Sequence, residues 1–267
     1  MTDKFRIILT GAGGKMGRDI LAGIMKEPDI HVVGAVDFKL IGKDIGFFSG
    51  EEAAHVTIQD KLEQVIIDKK PQIMIDFTNP QAVMKNIRTA LSHGVACIVG
   101  TTGLTGHDMD ELEIMTQKNQ TPVFIAPNFA LGAVLMMRFA QEAGKYFPHV
   151  EVIEKHHDQK MDAPSGTALK TMEMIAEGRK EMHQGASHEF EKLPGSRGGY
   201  YQGMRVHSVR LPGLIAHQEV IFGGQGQTLT IRHDSLSRDS FVPGVLLAIR
   251  NVLKMKGVVC GLEKLLW

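Results

Sequence analysis

Residues 5–17 read FRIILTGAGGKMG. A short apolar run passes directly into a glycine turn, and the spacing of GRDILAGIMKEP (17–28) then predicts a helix ending at Pro28. Strand, tight turn and helix in that order open a βαβ unit. Successive glycines let a backbone approach a pyrophosphate, while the helix N-terminus offers free N–H groups and the positive end of its dipole. Gly11 and Gly13 fit the spacing G-x-G-x-x-G. Met16 holds its third glycine position, and Gly17 comes one residue late. A plain tight turn is the alternative reading.

The pattern continues outward. HVVGAVD (31–37) is a second strand ending in Asp37, 20 residues beyond Gly17. An acid there accepts hydrogen bonds from ribose hydroxyls, which suggests NADH; Lys39 could instead meet a 2′-phosphate, which suggests NADPH. Asp37 could also simply cap a turn. Helical spacing over 60–69 puts Leu62, Val65 and Ile66 on one face. QIMIDF (72–77), VACIVG (95–100) and PVFIA (122–126) read as strands, with helices over 80–94 and 107–119 between them. This alternation implies an α/β domain with a parallel sheet and helices on both faces. Such sheets bind ligands beyond the carboxyl ends of their strands. DFTNP (76–80), VGTTG (99–103) and APNF (126–129) are turns of that kind. GTTG is expected near a nicotinamide; Thr78 or Asn79 could merely cap the next helix.

From residue 128 the pattern changes. A long helix over 128–147, a strand over 149–157 and a helix over 165–182 precede the glycine-rich loop SRGGYYQG (196–203). Three β runs, beginning at Met204, His217 and Gln227, then follow in close succession. They predict an antiparallel or mixed sheet and hence an α+β domain. A final helix is expected over 238–257. The expected domains are 1–128, with 239–267 packing back on it, and 129–238.

Thirty basic and thirty acidic residues give a formal net charge of zero, which argues against nucleic acid or an anionic membrane as partner. Cys97 and Cys260 lie in apolar contexts without metal-ligand spacing, so both are expected as buried reduced thiols. The N-terminus has no signal-peptide pattern, and no apolar run approaches the roughly 20 residues of a membrane span. The expected location is the cytoplasm.

Residues 154–168 read EKHHDQKMDAPSGTA. His156, His157 and Lys160 are potential proton donors at a strand end. A metal site built from His156 with Asp158 or Asp162 lacks a second ligand pair, so no metal is expected. A solvated charged loop is the bland alternative. Hydride addition to a polarised double bond offers these groups a use, because the negative charge it leaves must be neutralised by a positioned acid. PSGTA then starts a helix whose free N–H groups can bind a carboxylate, with Ser165 as N-cap.

This stretch resembles the signature of the bacterial dihydrodipicolinate reductases, Glu-x-His-His-x-x-Lys-x-Asp-x-Pro-Ser-Gly-Thr-Ala, at every fixed position. GAGGKMG, DFT, GTTG, Asn128-Phe129 and HSVRLPG follow in the family's order. The resemblance covers essentially the whole chain, and the late glycine is the family's own form. It implies a Rossmann-type domain plus an α+β domain for substrate binding and assembly as a homotetramer. It also implies NADH- or NADPH-dependent reduction of 4-hydroxy-tetrahydrodipicolinate (dihydrodipicolinate) to tetrahydrodipicolinate, in lysine and diaminopimelate biosynthesis. Carried over by residue, His156 would be the proton donor and Lys160 a second donor. His157, Gly166 and Thr167 would hold the carboxylates of the dicarboxylate substrate. Gly11, Ala12, Gly13, Gly14, Lys15, Met16, Asp37, Gly100, Thr101, Thr102, Ala126, Pro127, Asn128 and Phe129 would line the nucleotide. Some members carry an arginine directly after the ribose acid. Here Phe38 stands there and Lys39 is the nearby cation, which leaves NADH and NADPH both open. Two other readings are another two-domain NAD(P)-dependent amino-acid or sugar dehydrogenase, and a non-catalytic NAD-binding sensor. The paired His156 and Lys160 argue against the sensor.

Overall fold

Ile7, Ile8 and Leu9 are fully enclosed; their strand lies inside a sheet covered on both faces, so its sequence shows no polar alternation. The computed structural model describes residues 4–50, 53–180 and 182–267. The first elements are β1 (Phe5–Thr10), α1 (Lys15–Ile24), β2 (Ile30–Val36), α2 (Gly46–Ser49), β3 (Ile58–Gln59), α3 (Leu62–Lys69), β4 (Ile73–Asp76), α4 (Val83–Ser92), β5 (Ala96–Val99), α5 (Gly106–Asn119) and β6 (Val123–Ile125). β1 pairs in parallel with β2 and with β4, so each of its neighbours is reached by a crossover helix. A capping box between Thr105 and Asp108 starts α5. Val65 and Ile66 of α3 are buried and Leu62 packs beside them, on the face their spacing predicts.

The chain continues with α6 (Leu131–Gly144), β7 (His149–His156), α7 (Gly166–Gly178), β8 (Gly199–Tyr201), β9 (Met204–Arg210), β10 (Ala216–Gly224) and β11 (Gln227–Ser235). The strands form one mixed sheet in the order β11-β10-β7-β9-β8, in which only the β7–β9 pair is parallel. One face carries the buried Val150, Val152, Val206, Val220 and Phe222. Thr171 of α7 receives a 2.7 Å hydrogen bond there from Gln218. The expected helix over 165–182 stops at Gly178, and Glu181 lies outside the described residues. Arg179 leaves the helix extended, and its guanidinium donates to the carbonyls of Pro148, Gln202 and Gly203. Part of the expected loop 196–203 is the edge strand β8.

A 3₁₀ turn (Arg238–Phe241), α8 (Val242–Val252), β12 (Val258–Cys260) and a second 3₁₀ turn (Leu262–Leu265) end the chain. The expected helix over 238–257 is therefore shorter, and β12 adds a seventh strand. The full parallel sheet runs β12-β6-β5-β4-β1-β2-β3. Val242 lies where a Cβ on Gly23 would fall, so α8 packs directly on α1. Two compact units result, Met1–Leu131 with Arg238–Trp267, and Gly132–Ser237. Cys97 is buried and its thiol pKa is pushed up by that burial. Cys260 is exposed, against expectation: its apolar neighbours belong to a three-residue strand at the edge of the sheet.

Candidate active site

In the first unit, the turn after β1 depends on its glycines. Gly11 has φ +82°, and a Cβ on it would lie 2.3 Å from the Phe77 carbonyl oxygen. A Cβ on Gly17 would lie 2.0 Å from the Gly11 oxygen, so the late glycine lets α1 close on its own turn. Gly14, the N-cap of α1, makes no side-chain cap bond, and N–H groups at such a helix start can meet an anion. The Asp37 carboxylate accepts from Gly13 N (2.8 Å) and Lys39 N (2.7 Å), which ties the turn to the end of β2.

Beyond the strand ends lie two clefts. The larger, about 920 Å³, is lined by Gly11, Gly14, Asp37, Lys39 and residues of α3 and α4. The second, about 340 Å³, is lined by Met16, Gly100, Thr101, Thr102, Pro127 and Phe129. Phe77, Thr78 and Asn79 line both. Ala12, Gly13, Lys15, Ala126 and Asn128 are absent from both linings; Ala12 and Ala126 are buried. The glycine cradle, the uncapped helix and the acid at the end of β2 together fit a dinucleotide.

Asp76 organises these turns and was not singled out by the sequence reading. Its side chain is fully buried at the end of β4. It accepts from Thr10 Oγ1 (2.8 Å), Thr78 Oγ1 (2.7 Å), Thr78 N (3.1 Å), Asn86 Nδ2 (2.8 Å) and Thr101 Oγ1 (2.6 Å). Neutral donors thus satisfy a carboxylate that burial would otherwise penalise. Asn79 Oδ1 accepts from Gln81 N and Ala82 N in the turn before α4; the helix itself starts later than expected, at Val83, with Ala82 as its N-cap and no side-chain cap. Gly100 has no Cβ where the Phe77 ring lies, and that ring packs on Phe129.

In the second unit, β7 ends at His156 and the loop 157–165 leads into α7. Alternation along β7 puts Val150, Val152, Glu154 and His156 on one face. Glu154 has no exposed surface, and the His156 side chain is 15% exposed. His156 Nδ1 lies 2.5 Å from Glu154 Oε2. Arg210 on β9 grips the same carboxylate with both Nη atoms, at 2.9 and 2.7 Å. Ser165 N donates to Oε1 at 3.2 Å, and the Ser165 hydroxyl caps α7 through Ala168 N. Burial alone would raise the Glu154 pKa. Hydrogen bonds from His156, Arg210 and Ser208 overcome it and lower the value to about 2. Lys160 Nζ pairs with Asp162 Oδ1 at 2.7 Å, and the Asp162 carbonyl accepts from Arg210 at 2.7 Å. His157 and Gly166 are exposed at the same strand end and helix start.

The sequence reading did not single out Glu154 or Arg210. Glu154 was detectable: it stands two residues before His156 in an alternating strand, on the face of Val150 and Val152. Arg210 is 56 residues away, inside HSVRLPG, and nothing in its spacing ties it to Glu154. No group of three or more His, Cys, Asp or Glu side chains among the described residues could hold a metal ion.

Two family models match the chain: dihydrodipicolinate reductase, N-terminus, over residues 5–129, and dihydrodipicolinate reductase, C-terminus, over residues 132–266. A 4-hydroxy-tetrahydrodipicolinate reductase of Desulfitobacterium hafniense is 53% identical over 264 residues, covering 98% of this chain and 99% of its own. A protein of the same name from Moorella thermoacetica is 53% identical over 266 residues, covering 100% and 99%. Among solved structures, the dipicolinate-bound dihydrodipicolinate reductase from Paenisporosarcina sp. TG-14 is 44% identical, with a TM-score of 0.86 over 98% of this chain and 99% of its own.

Proposed function

The chain belongs to the dihydrodipicolinate reductase family, and we infer that it reduces 4-hydroxy-tetrahydrodipicolinate to tetrahydrodipicolinate with NADH or NADPH, in lysine and diaminopimelate biosynthesis. The first unit holds the dinucleotide: Gly11 to Met16 cradle its pyrophosphate, Asp37 takes the ribose hydroxyls, and Gly100 to Thr102 with Ala126 to Phe129 line the rest. When bound, the reduced nicotinamide supplies the hydride. Lys39 provides a cation for a 2′-phosphate.

The second unit binds the substrate and supplies protons. Dipicolinate, named with the Paenisporosarcina relative, carries two carboxylates, as the reduced substrate does. The start of α7, with Gly166 exposed and Thr167 half-buried, suits one of them, with His157 at the neighbouring strand end. His156 gives a proton from Nε2 to the centre that becomes negative on reduction, and Lys160 is the second donor. The observation that carries this reading is the buried Glu154 carboxylate on His156 Nδ1, which leaves the other ring nitrogen for substrate.

The assembly is a homotetramer built through the second sheet. Its face with Ile153, Val209 and Ile221 has no buried residue among those described, whereas the opposite face is packed. The reaction takes place in the cytoplasm. No helix among the described residues is long and apolar enough to cross a membrane, and both cysteines are free.

The test follows NADH and NADPH absorbance with enzymatically generated substrate, for the wild type and His156→Ala. Turnover by the wild type, with a fall of about 10²- to 10⁴-fold in the variant, is the expected result. Equal turnover in both removes His156 from the reaction.

A further inference from the structure

We propose that Glu154 is the positioning residue of this reaction: with Arg210 as its clamp, it fixes the tautomer of His156 and sets a negative charge beside the ring from which the substrate takes its proton. The inference rests on the reading of His156 as donor and extends it to two residues that the signature's catalytic pair does not include.

A carboxylate held near the bottom of its range only accepts hydrogen bonds. The 2.5 Å contact therefore places a proton on His156 Nδ1. Nε2 is the nitrogen left to exchange a proton with substrate, and a charge forming on the ring meets an opposite charge already in place. Proton transfer then moves one proton from Nε2 to the substrate, while Nδ1 keeps its own on Glu154. The carboxylate is not itself protonated in the step.

Stability does not account for the Glu154–Arg210 pair. Desolvating two charges commonly cancels their attraction, and an apolar pair of similar volume often serves as well. Here the cost is larger, because Arg210 Nε is buried without a partner. The pair does give geometry. The two-pronged contact fixes the carboxylate plane, and Ser165 N ties the same oxygen that Arg210 Nη2 holds to the start of α7. Strand end and helix start are thereby locked to one acid.

The charged and titratable groups around the ring come from every neighbouring element. Glu154 stands on its own strand and Arg210 on β9. Ala216, opposite on β10, is uncharged. His157, Lys160 and Asp162 lie in the following loop, where Lys160 and Asp162 pair with each other. Substitutions at Glu154 and Arg210 thus change His156's surroundings with opposite sign.

The experiment measures kcat against pH for the full-length enzyme at saturating NADH. E154Q should lower kcat by about 10- to 100-fold at alkaline pH and move the alkaline limb about one unit toward acid. The Michaelis constant for NADH should stay unchanged. R210M, which leaves the carboxylate to His156 alone, should move the limb the other way. If E154Q does not fold, the E154Q/R210M double variant removes the buried acid together with its partner and should still show the acid-shifted limb. A uniform loss at every pH, with the limb unmoved in the folded variants, overturns the proposal. His156→Ala separates this outcome from failure of the underlying reading. If His156→Ala keeps full turnover, the donor assignment itself falls. If it loses turnover and H156A/E154Q loses a further equal factor, Glu154 does not act through His156.

Discussion

Thr101 donates its hydroxyl to the buried Asp76 carboxylate across 2.6 Å and accepts from Thr78 N at 2.8 Å. One side chain thus joins the turn after β5 to the turn after β4. Thr101→Val keeps the shape, takes one donor from the buried Asp76 carboxylate and leaves Thr78 N only its 3.1 Å contact to that acid. The expected cost is about 1–3 kcal/mol in urea unfolding. Because both turns line the clefts, the Michaelis constants for NADH and NADPH should rise together. Unchanged stability and unchanged constants would show that the bond organises nothing.

Gly17→Ala tests the glycine turn more severely. The added methyl would sit 2.0 Å from the Gly11 carbonyl oxygen, a backbone atom that cannot swing aside. The helix or the turn must shift, so we expect a loss of about 1–3 kcal/mol and weak binding of both cofactors by fluorescence titration. Gly106 is a control inside the same unit, since a Cβ there meets nothing within 4 Å. If Gly17→Ala is no more disruptive than Gly106→Ala, the close approach is not needed.

The Glu154 network predicts an acid limit to stability. The folded-state pKa is lowered from 4.5 to about 2, so its stabilisation is complete above about pH 4.5 and is lost as pH falls toward 2. The unfolding free energy should drop by on the order of 3 kcal/mol across that window through this group alone. Glu151 and Asp162, whose pKa values are also lowered by ion-pair partners, add to the slope. The difference between wild type and Glu154→Gln isolates the Glu154 share. Parallel curves for the two proteins between pH 5 and 2 would contradict it.

Long elements were legible in the sequence because they bury one periodic face or a whole apolar strand. The period of α3 and the apolar run of β1 both reported what covers them. β3, β8 and β12 were not legible: two or three residues cannot display a period, and their strand character comes from a neighbour's hydrogen bonds. Cys260 illustrates the failure, since local apolarity predicted burial and the sheet edge overrode it. The site divides in the same way. Its motif residues could be named from one contiguous stretch, whereas Arg210 and the donors to Asp76 meet their acids only through tertiary pairing.

Cofactor choice turns on a residue with two separable contacts. The Lys39 backbone N–H holds Asp37 Oδ1, and any substitution except proline keeps it. The Lys39 side chain lines the larger cleft and can be removed alone. Lys39→Ala should raise the Michaelis constant for NADPH several-fold more than that for NADH, because only the former brings a 2′-phosphate. An equal effect on both, or none, would reject the assignment of that cation.

Lys160 is paired with Asp162 before any substrate arrives, at 2.7 Å, and Asp162 is 59% exposed. An ion pair so open to solvent is weak, about 0–1 kcal/mol, so a substrate carboxylate or a developing charge can displace Asp162 at little cost. Lys160→Met should therefore leave the unfolding midpoint nearly unchanged. Two kinetic outcomes separate its uses. A lysine that binds ground state and transition state equally affects the Michaelis constant and spares turnover. A lysine that serves the transition state lowers turnover as well. We expect the second, since Lys160 and His156 both link to Arg210, through Asp162 and Glu154 respectively. Asp162→Asn should then keep turnover within about three-fold, because the pair it breaks is the one substrate must break anyway. Steady-state kinetics at saturating NADH decides, and a pure Michaelis-constant effect in Lys160→Met would reduce this lysine to a binding residue.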